Sequence, residues 1–252
     1  MPKKIDSTTL EQLINDLRAA HGDNLASVVL YGSAAAGDQI ELRSDHNLLI
    51  ALNRITAEDL RRAQAPMREW QDLGQPIPVY FTLAELKDAA DVFPIEFLQM
   101  EKARKVLYGS DPFEFVKISR ANLRHQTEYE LRTKLIRLRR LYIRASTSVE
   151  KLSALMSDSL ASFAALFGGL LILLGQEPPI AKADTIHATV RLLELDAAPF
   201  ERILDLRTGK GSPLTEADAN NLFSAYLAQI ERVIDAVDRI EANEGRIGGL
   251  VQ

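Results

Sequence analysis

Apolar residues along this chain repeat at three and four, then at two with helical stretches between, then at three and four to the end. From Ser7 to Ala20, Leu10, Leu13, Ile14 and Leu17 recur behind a Ser/Thr cap, which predicts an amphipathic helix that stops at His21-Gly22. Ser27 to Tyr31 is short, β-branched and apolar and ends in Gly32, the pattern of a strand. A second strand is predicted from Asn47 to Leu52. Period two puts Asp45, Asn47 and Leu49 on one face and His46, Leu48 and Ile50 on the other, so His46 is expected to pack rather than to bind a ligand. Thr56 to Leu73 reads as a helix closed by Gly74, Ile77 to Phe81 as a third strand, and Thr82-Leu-Ala-Glu85 as a capping box opening another helix. Pro94 suits the first turn of a helix carrying Phe97, Leu98 and Met100, and Lys105 to Tyr108 reads as a fourth strand ending at Gly109.

From about Arg120 only helical periodicity remains. Leu131, Leu135, Leu138, Tyr142 and Ala145 form one stripe, and the other faces carry Arg132, Lys134, Arg137, Arg139, Arg140 and Arg144. That basic surface reads as a solvated face beside Glu128 and Glu130, the alternative being a face that receives phosphates. A second helix runs from Val149, and its end, Leu160 to Gly175, has no charge. It is shorter than the roughly 20 residues that span a bilayer, so it predicts the buried central helix of a bundle, with a homodimer interface as a further use. Pro178-Pro179 ends it. Asp184 is expected to cap the next helix, Pro199 to begin a shorter one that stops near Gly209, and Thr215-Glu-Ala-Asp218 to open a long last helix through Ile240. Gly245 to Gln252 is Gly-rich and expected to be mobile. The fold class expected is α+β: a small mixed sheet with flanking helices over residues 1–115, followed by an all-α helical bundle over 116–252.

Composition narrows the partners. The 252 residues are 46% apolar and 26% charged, an ordinary globular balance. A formal charge of -5 and an aromatic content of 6% argue against generic nucleic-acid binding. There is no cysteine, which excludes disulfides and thiolate metal sites and fits a cytoplasmic location, and no apolar run follows the N-terminal lysines as in a secretory signal.

The candidate chemistry lies in Val28 to Leu52, VVLYGSAAAGDQIELRSDHNLLIAL. A strand that breaks at Gly32-Ser33 leaves backbone N–H groups able to hold phosphate oxygens, and an acidic residue at the start of the next strand suits a magnesium ion. The stretch resembles the nucleotidyltransferase superfamily signature, a Gly-Ser followed about ten residues later by Ser-Asp-x-Asp. Asp91-Val-Phe-Pro-Ile-Glu-Phe and Lys105-Val-Leu-Tyr-Gly resemble segments of bacterial members that join a minimal nucleotidyltransferase domain to a helical one. The resemblance implies that Gly32, Ser33 and Ser44 bind nucleotide phosphates and that Asp45 holds a metal. It also implies a second aspartate where this chain has Asn47, and a third carboxylate on the strand from Ile77 to Phe81. No residue between Gly74 and Ala84 is acidic, and Pro78, Tyr80 and Thr82 offer no substitute.

Two unit charges at 4 Å interact by roughly 4 kcal/mol at the effective dielectric of a protein surface, so a site lacking two carboxylates holds magnesium weakly at Asp45 and Asn47. The expected protein is therefore a nucleotidyltransferase-like pseudoenzyme that binds a nucleotide or phosphorylated small molecule, or an interaction module. The alternative is an active magnesium-dependent enzyme in which Asp45 is catalytic and Glu85, Asp88 or Glu96 fills the gap. A toxin's non-enzymatic partner is a third reading. Arg120 and His125 match the spacing of a ribonuclease motif, but in so arginine-rich a stretch ordinary surface residues are the better expectation.

Overall fold

The computed structural model describes residues 5–36 and 46–240. The chain divides into two compact units between Ile118 and Ser119. The first is α+β and the described secondary-structure elements of the second are all helices.

In the first unit, α1 (Ser7–His21) is followed by β1 (Leu25–Tyr31), the one-turn α2 (Ser33–Ala36) and β2 (Asn47–Leu52). Then come α3 (Ala57–Arg62), α4 (Gln64–Asp72), β3 (Val79–Thr82), α5 (Leu83–Asp88), α6 (Pro94–Lys102) and β4 (Arg104–Gly109). The sheet order is β3-β2-β1-β4, with β1 antiparallel to both neighbours and β2 parallel to β3. A parallel pair needs a crossover, and α3 and α4 supply it.

Two local expectations change. The helix expected over Thr56 to Leu73 is two helices that meet at Ala63. Pro66 explains the break: its missing N–H and its ring are tolerated in the first turn of α4 and not inside one long helix. β3 begins at Val79 rather than Ile77, because Pro76 and Pro78 have no N–H to give a ladder.

The sheet buries both faces. Val28, Leu30, Leu48, Ile50 and Leu52 pack with Leu13 and Leu17 of α1 and with Met67 and Trp70 of α4. Trp70 Nε1 donates to the Pro76 carbonyl at 3.0 Å, which satisfies the indole inside this core. Period two turns Val29, Leu49 and Ala51 to the other face. There Phe81, paired with Ala51, meets Phe97 edge-on at 5.9 Å, and Phe97 meets Phe113 at the same distance.

In the helical unit α7 (Arg120–Ala145), α8 (Val149–Leu173), α9 (Lys182–Leu192), α10 (Ala198–Thr208) and α11 (Glu216–Asp238) form the bundle. Ser119, Ser148 and Thr215 cap the three long helices, each accepting a backbone N–H of the first turn. Asp184 lies within the first turn of α9 and is not its cap, which falls at Ala181. An acidic side chain in that turn still opposes the exposed amide dipoles. α8 is long and apolar enough to cross a membrane. Here it packs against α7, α9, α10 and α11 and buries Phe163, Phe167, Leu170 and Leu173. Buried Tyr226 of α11 meets Phe200 and Phe163 edge-on at 6.0 and 6.4 Å, locking α11 to α8 and α10. Segment 245–252 lies outside the described residues.

Two positions test these packing arguments. Gly109 has φ of +76°, and a Cβ there would lie 1.9 Å from the Ala26 carbonyl oxygen, so Gly109→Ala should lower stability by at least about 2 kcal/mol in urea unfolding. His21 is buried at the end of α1. Its ring stands edge-on to Tyr80 at 6.2 Å, and neither its two nitrogens nor the Tyr80 hydroxyl has a hydrogen-bond partner among the described residues. Burial holds the His21 pKa below 6.5; the Asp59 charge opposes the shift and Arg62 adds to it. The unfolded chain then binds the proton more readily than the folded one. Stability should rise with pH up to the ordinary histidine value and fall as pH drops below it, and His21→Leu should flatten the urea midpoint between about pH 5 and 7.

Candidate functional site

β1 is the middle of the site because it is hydrogen-bonded on both edges. Its last residue, Tyr31, pairs with Asn47 at the start of β2 and with Arg104 at the start of β4. Cross-strand partners share a sheet face, so Arg104, Tyr31 and Asn47 form a row across three strands, on the face of Leu49 and Val29. The chain leaves β1 at Gly32, whose φ of +80° suits glycine. Gly32 N–H donates to the Ala103 carbonyl at 2.9 Å, and its own carbonyl accepts from Ala35 N–H at 3.0 Å, closing the turn into α2. A Cβ on Gly32 would lie 3.5 Å from Asn47 Nδ2, so the amide of Asn47 stands directly against the turn.

The structure therefore brings together Gly32, the backbone of Ser33 and Asn47. Ser44 and Asp45 lie outside the described residues. His46 turns to the opposite face: its N–H donates to Gln75 Oε1 at 2.8 Å, and its ring meets Trp70 edge-on at 6.4 Å. Along the parallel β2–β3 pair Val79 stands beside Leu49, and Tyr80 faces the α1 side with Ile50. The start of β3 and the residues leading into it, which lie nearest Asn47, are apolar, with Val79 and Ile77 both exposed. Among the described residues no three His, Cys, Asp or Glu side chains gather as a metal site. One neutral amide oxygen is a poor donor set for magnesium, which favours carboxylates, so the described residues do not fit a two-metal centre.

Of the carboxylates expected as candidates to fill the gap, one has a defined role of its own. Glu85 is spent on its capping box, accepting Thr82 N–H at 2.7 Å while Thr82 Oγ1 accepts Glu85 N–H at 3.0 Å. Asp88 ends α5 and Glu96 sits in the first turn of α6, both exposed. Arg120 donates to the Leu173 carbonyl and so serves the last turn of α8. His125 is exposed and five residues further on, roughly 140° around α7, so the two share no face. On α7, Arg132 pairs with Glu128 at 2.8 Å and Lys134 with Glu130 at 4.0 Å, whereas Arg137, Arg140 and Arg144 are exposed.

Sequence reasoning passed over Arg104. Its guanidinium is fixed by three hydrogen bonds: Nε and Nη2 to Asp111 Oδ2 at 3.0 and 2.8 Å, and Nη1 to the Glu101 carbonyl at 2.7 Å. It also lies over the Phe113 ring at 5.5 Å. The signal available was a basic residue directly before the strand predicted from Lys105. Burial raises the pKa of the Tyr31 hydroxyl, so it remains a neutral donor.

No family model matches this chain, and no curated protein sequence matches it significantly. Among solved structures it is similar to spectinomycin adenyltransferase AAD(9) from Enterococcus faecialis, determined with ATP and spectinomycin. The match has a TM-score of 0.55 at 12% identity and covers 93% of this chain and 100% of that one. At that identity the likeness is one of fold, and the chain has a nucleotidyltransferase fold: a small mixed sheet with flanking helices followed by a helical region.

Proposed function

We propose that this protein binds a nucleotide or another phosphorylated small molecule at the Gly32 end of its sheet, in the cytoplasm, and has lost most or all nucleotidyl-transfer activity. The observation that carries the reading is the pairing of an intact glycine turn with a face that offers Asn47, Leu49 and Val79 where metal-binding carboxylates are expected. The turn supports phosphate binding, because backbone N–H groups beyond Gly32 need no side chain to act as donors. The fold supports a nucleotide, since the adenyltransferase of the same fold was solved with ATP. Lost catalysis follows from electrostatics. In-line transfer of a nucleoside monophosphate needs charge neutralisation at both the attacking and the leaving oxygen, and a single carboxylate at Asp45 cannot hold two ions. The α+β domain carries this site, and magnesium, if it enters, is held weakly by Asp45 and Asn47.

Isothermal titration with ATP and with GTP should show saturable binding to the wild-type protein, and no heat with either nucleotide would overturn the proposal. Gly32→Ala should weaken that binding, and lower stability by about 1–2 kcal/mol, through its left-handed backbone and not through crowding. Incubation with labelled ATP and small hydroxyl acceptors should give no transferred label above background. Transfer by the wild type that disappears in Asp45→Ala would instead establish an active magnesium-dependent enzyme.

A further inference from the structure

We propose that Arg104 and the Asn47 amide read the phosphates at this site directly, and that the ligand bound is the metal-free form of a phosphate chain such as that of a nucleoside triphosphate. This rests on the phosphate-binding reading above and adds which residues replace the metal. The first support is position. Arg104 and Asn47 flank Tyr31 on its two sides, and the Gly32 turn leaves from Tyr31, clamped to Ala103 by its own N–H. A phosphate cradled by the turn thus lies at the strand ends that carry these two residues, with the Asn47 amide against the turn itself.

The second support is donor chemistry. An aspartate at position 47 would present only acceptors, and acceptors meet phosphate oxygens only through a bridging cation. Asn47 has an N–H₂ group that donates to a phosphate oxygen with nothing between them, and that group already stands against Gly32. A change that weakens a metal site is thus the change that builds a direct one.

The third is the state of Arg104. A guanidinium has five N–H groups. Nε and one N–H on each terminal nitrogen are engaged by Asp111 and Glu101, which leaves a second N–H on Nη1 and on Nη2 without a partner among the described residues. The side chain is 23% exposed, so those donors are reachable, and it is held in place before any ligand arrives. Asp111 cancels much of the charge at a distance, so the recognition is by hydrogen bonding at contact. Magnesium chelated by a phosphate chain would occupy the same oxygens and compete with these donors.

Titration of the full chain with ATP in EDTA and in magnesium separates the possibilities. Binding in EDTA should be as tight as in magnesium or tighter. Arg104→Gln should weaken it at least about tenfold, as expected for a lost charge-assisted hydrogen bond. Lys105→Gln removes the same charge from the neighbouring β4 position, which pairs with Leu30 on the opposite face and is exposed, and should leave binding within about twofold. Equal loss in both variants would show that only the overall charge attracts the ligand and would overturn the inference. Asn47→Asp should weaken binding at least about tenfold in EDTA and recover part of it with magnesium; unchanged binding in EDTA would overturn the inference even where Arg104→Gln fails to fold. Binding by the wild type only with magnesium would overturn this inference and leave the phosphate-binding proposal standing. No binding in either condition would remove both.

Discussion

Tyr31 is hydrogen-bonded into the sheet from both sides, and what can happen at the open end of the sheet depends on that pairing. With Asn47 on one edge and Arg104 on the other, the strand cannot slip by a residue without moving its whole buried set to the opposite face. Val28 and Leu30 on one side and Val29 on the other are buried, so either slip would press each set into a core packed around the other. The Gly32 turn inherits this rigidity, because its N–H is tied to Ala103, the residue before β4. The turn is thus positioned by backbone hydrogen bonds and by a core on each face of the sheet.

The segment after β4 completes the arrangement. Beyond Gly109 the chain returns so that Asp111 reaches Arg104 and Phe113 reaches Phe97. One oxygen of Asp111 takes two guanidinium donors while the other accepts Phe113 N–H at 3.0 Å, so a single carboxylate orders both the arginine and the turn that follows. The ion pair is partly exposed and contributes little to stability by itself; its effect is to hold a side chain in one rotamer.

Much of this fold is legible in the residues, and the rest is illegible for physical reasons. α11 announces itself because a Thr cap precedes a three-four apolar repeat, and both signals are local; α1 and α7 were legible from the repeat alone, since the cap of α1 is Asp6 rather than the Ser/Thr expected and the Ser119 cap of α7 went unread. The small mixed sheet followed by helices was legible in the same way, from alternating short apolar runs. The break at Ala63 was missed because the apolar stripe continues across it, and only Pro66 marks the change. Gly32 and Asn47 could be named from their motif. Arg104 could not, since which residue of β4 comes beside Tyr31 depends on a register that shifts between Val28 and Val29, an event set some 75 residues away in the chain. The capping role of Glu85 is written in Thr82-Leu-Ala-Glu85, a motif that engages its carboxylate with the Thr82 N–H.

The two prolines before β3 have a consequence outside the site. β3 is an outer strand of the sheet, and an outer strand with free N–H groups invites another chain to add to it. Here the strand has only four residues, and the approach to it carries Pro76 and Pro78, which offer no N–H to a newcomer. Exposed Ile77 and Val79 would otherwise make this margin adhesive. The same backbone that shortens the strand guards this one margin of the sheet against edge-to-edge pairing.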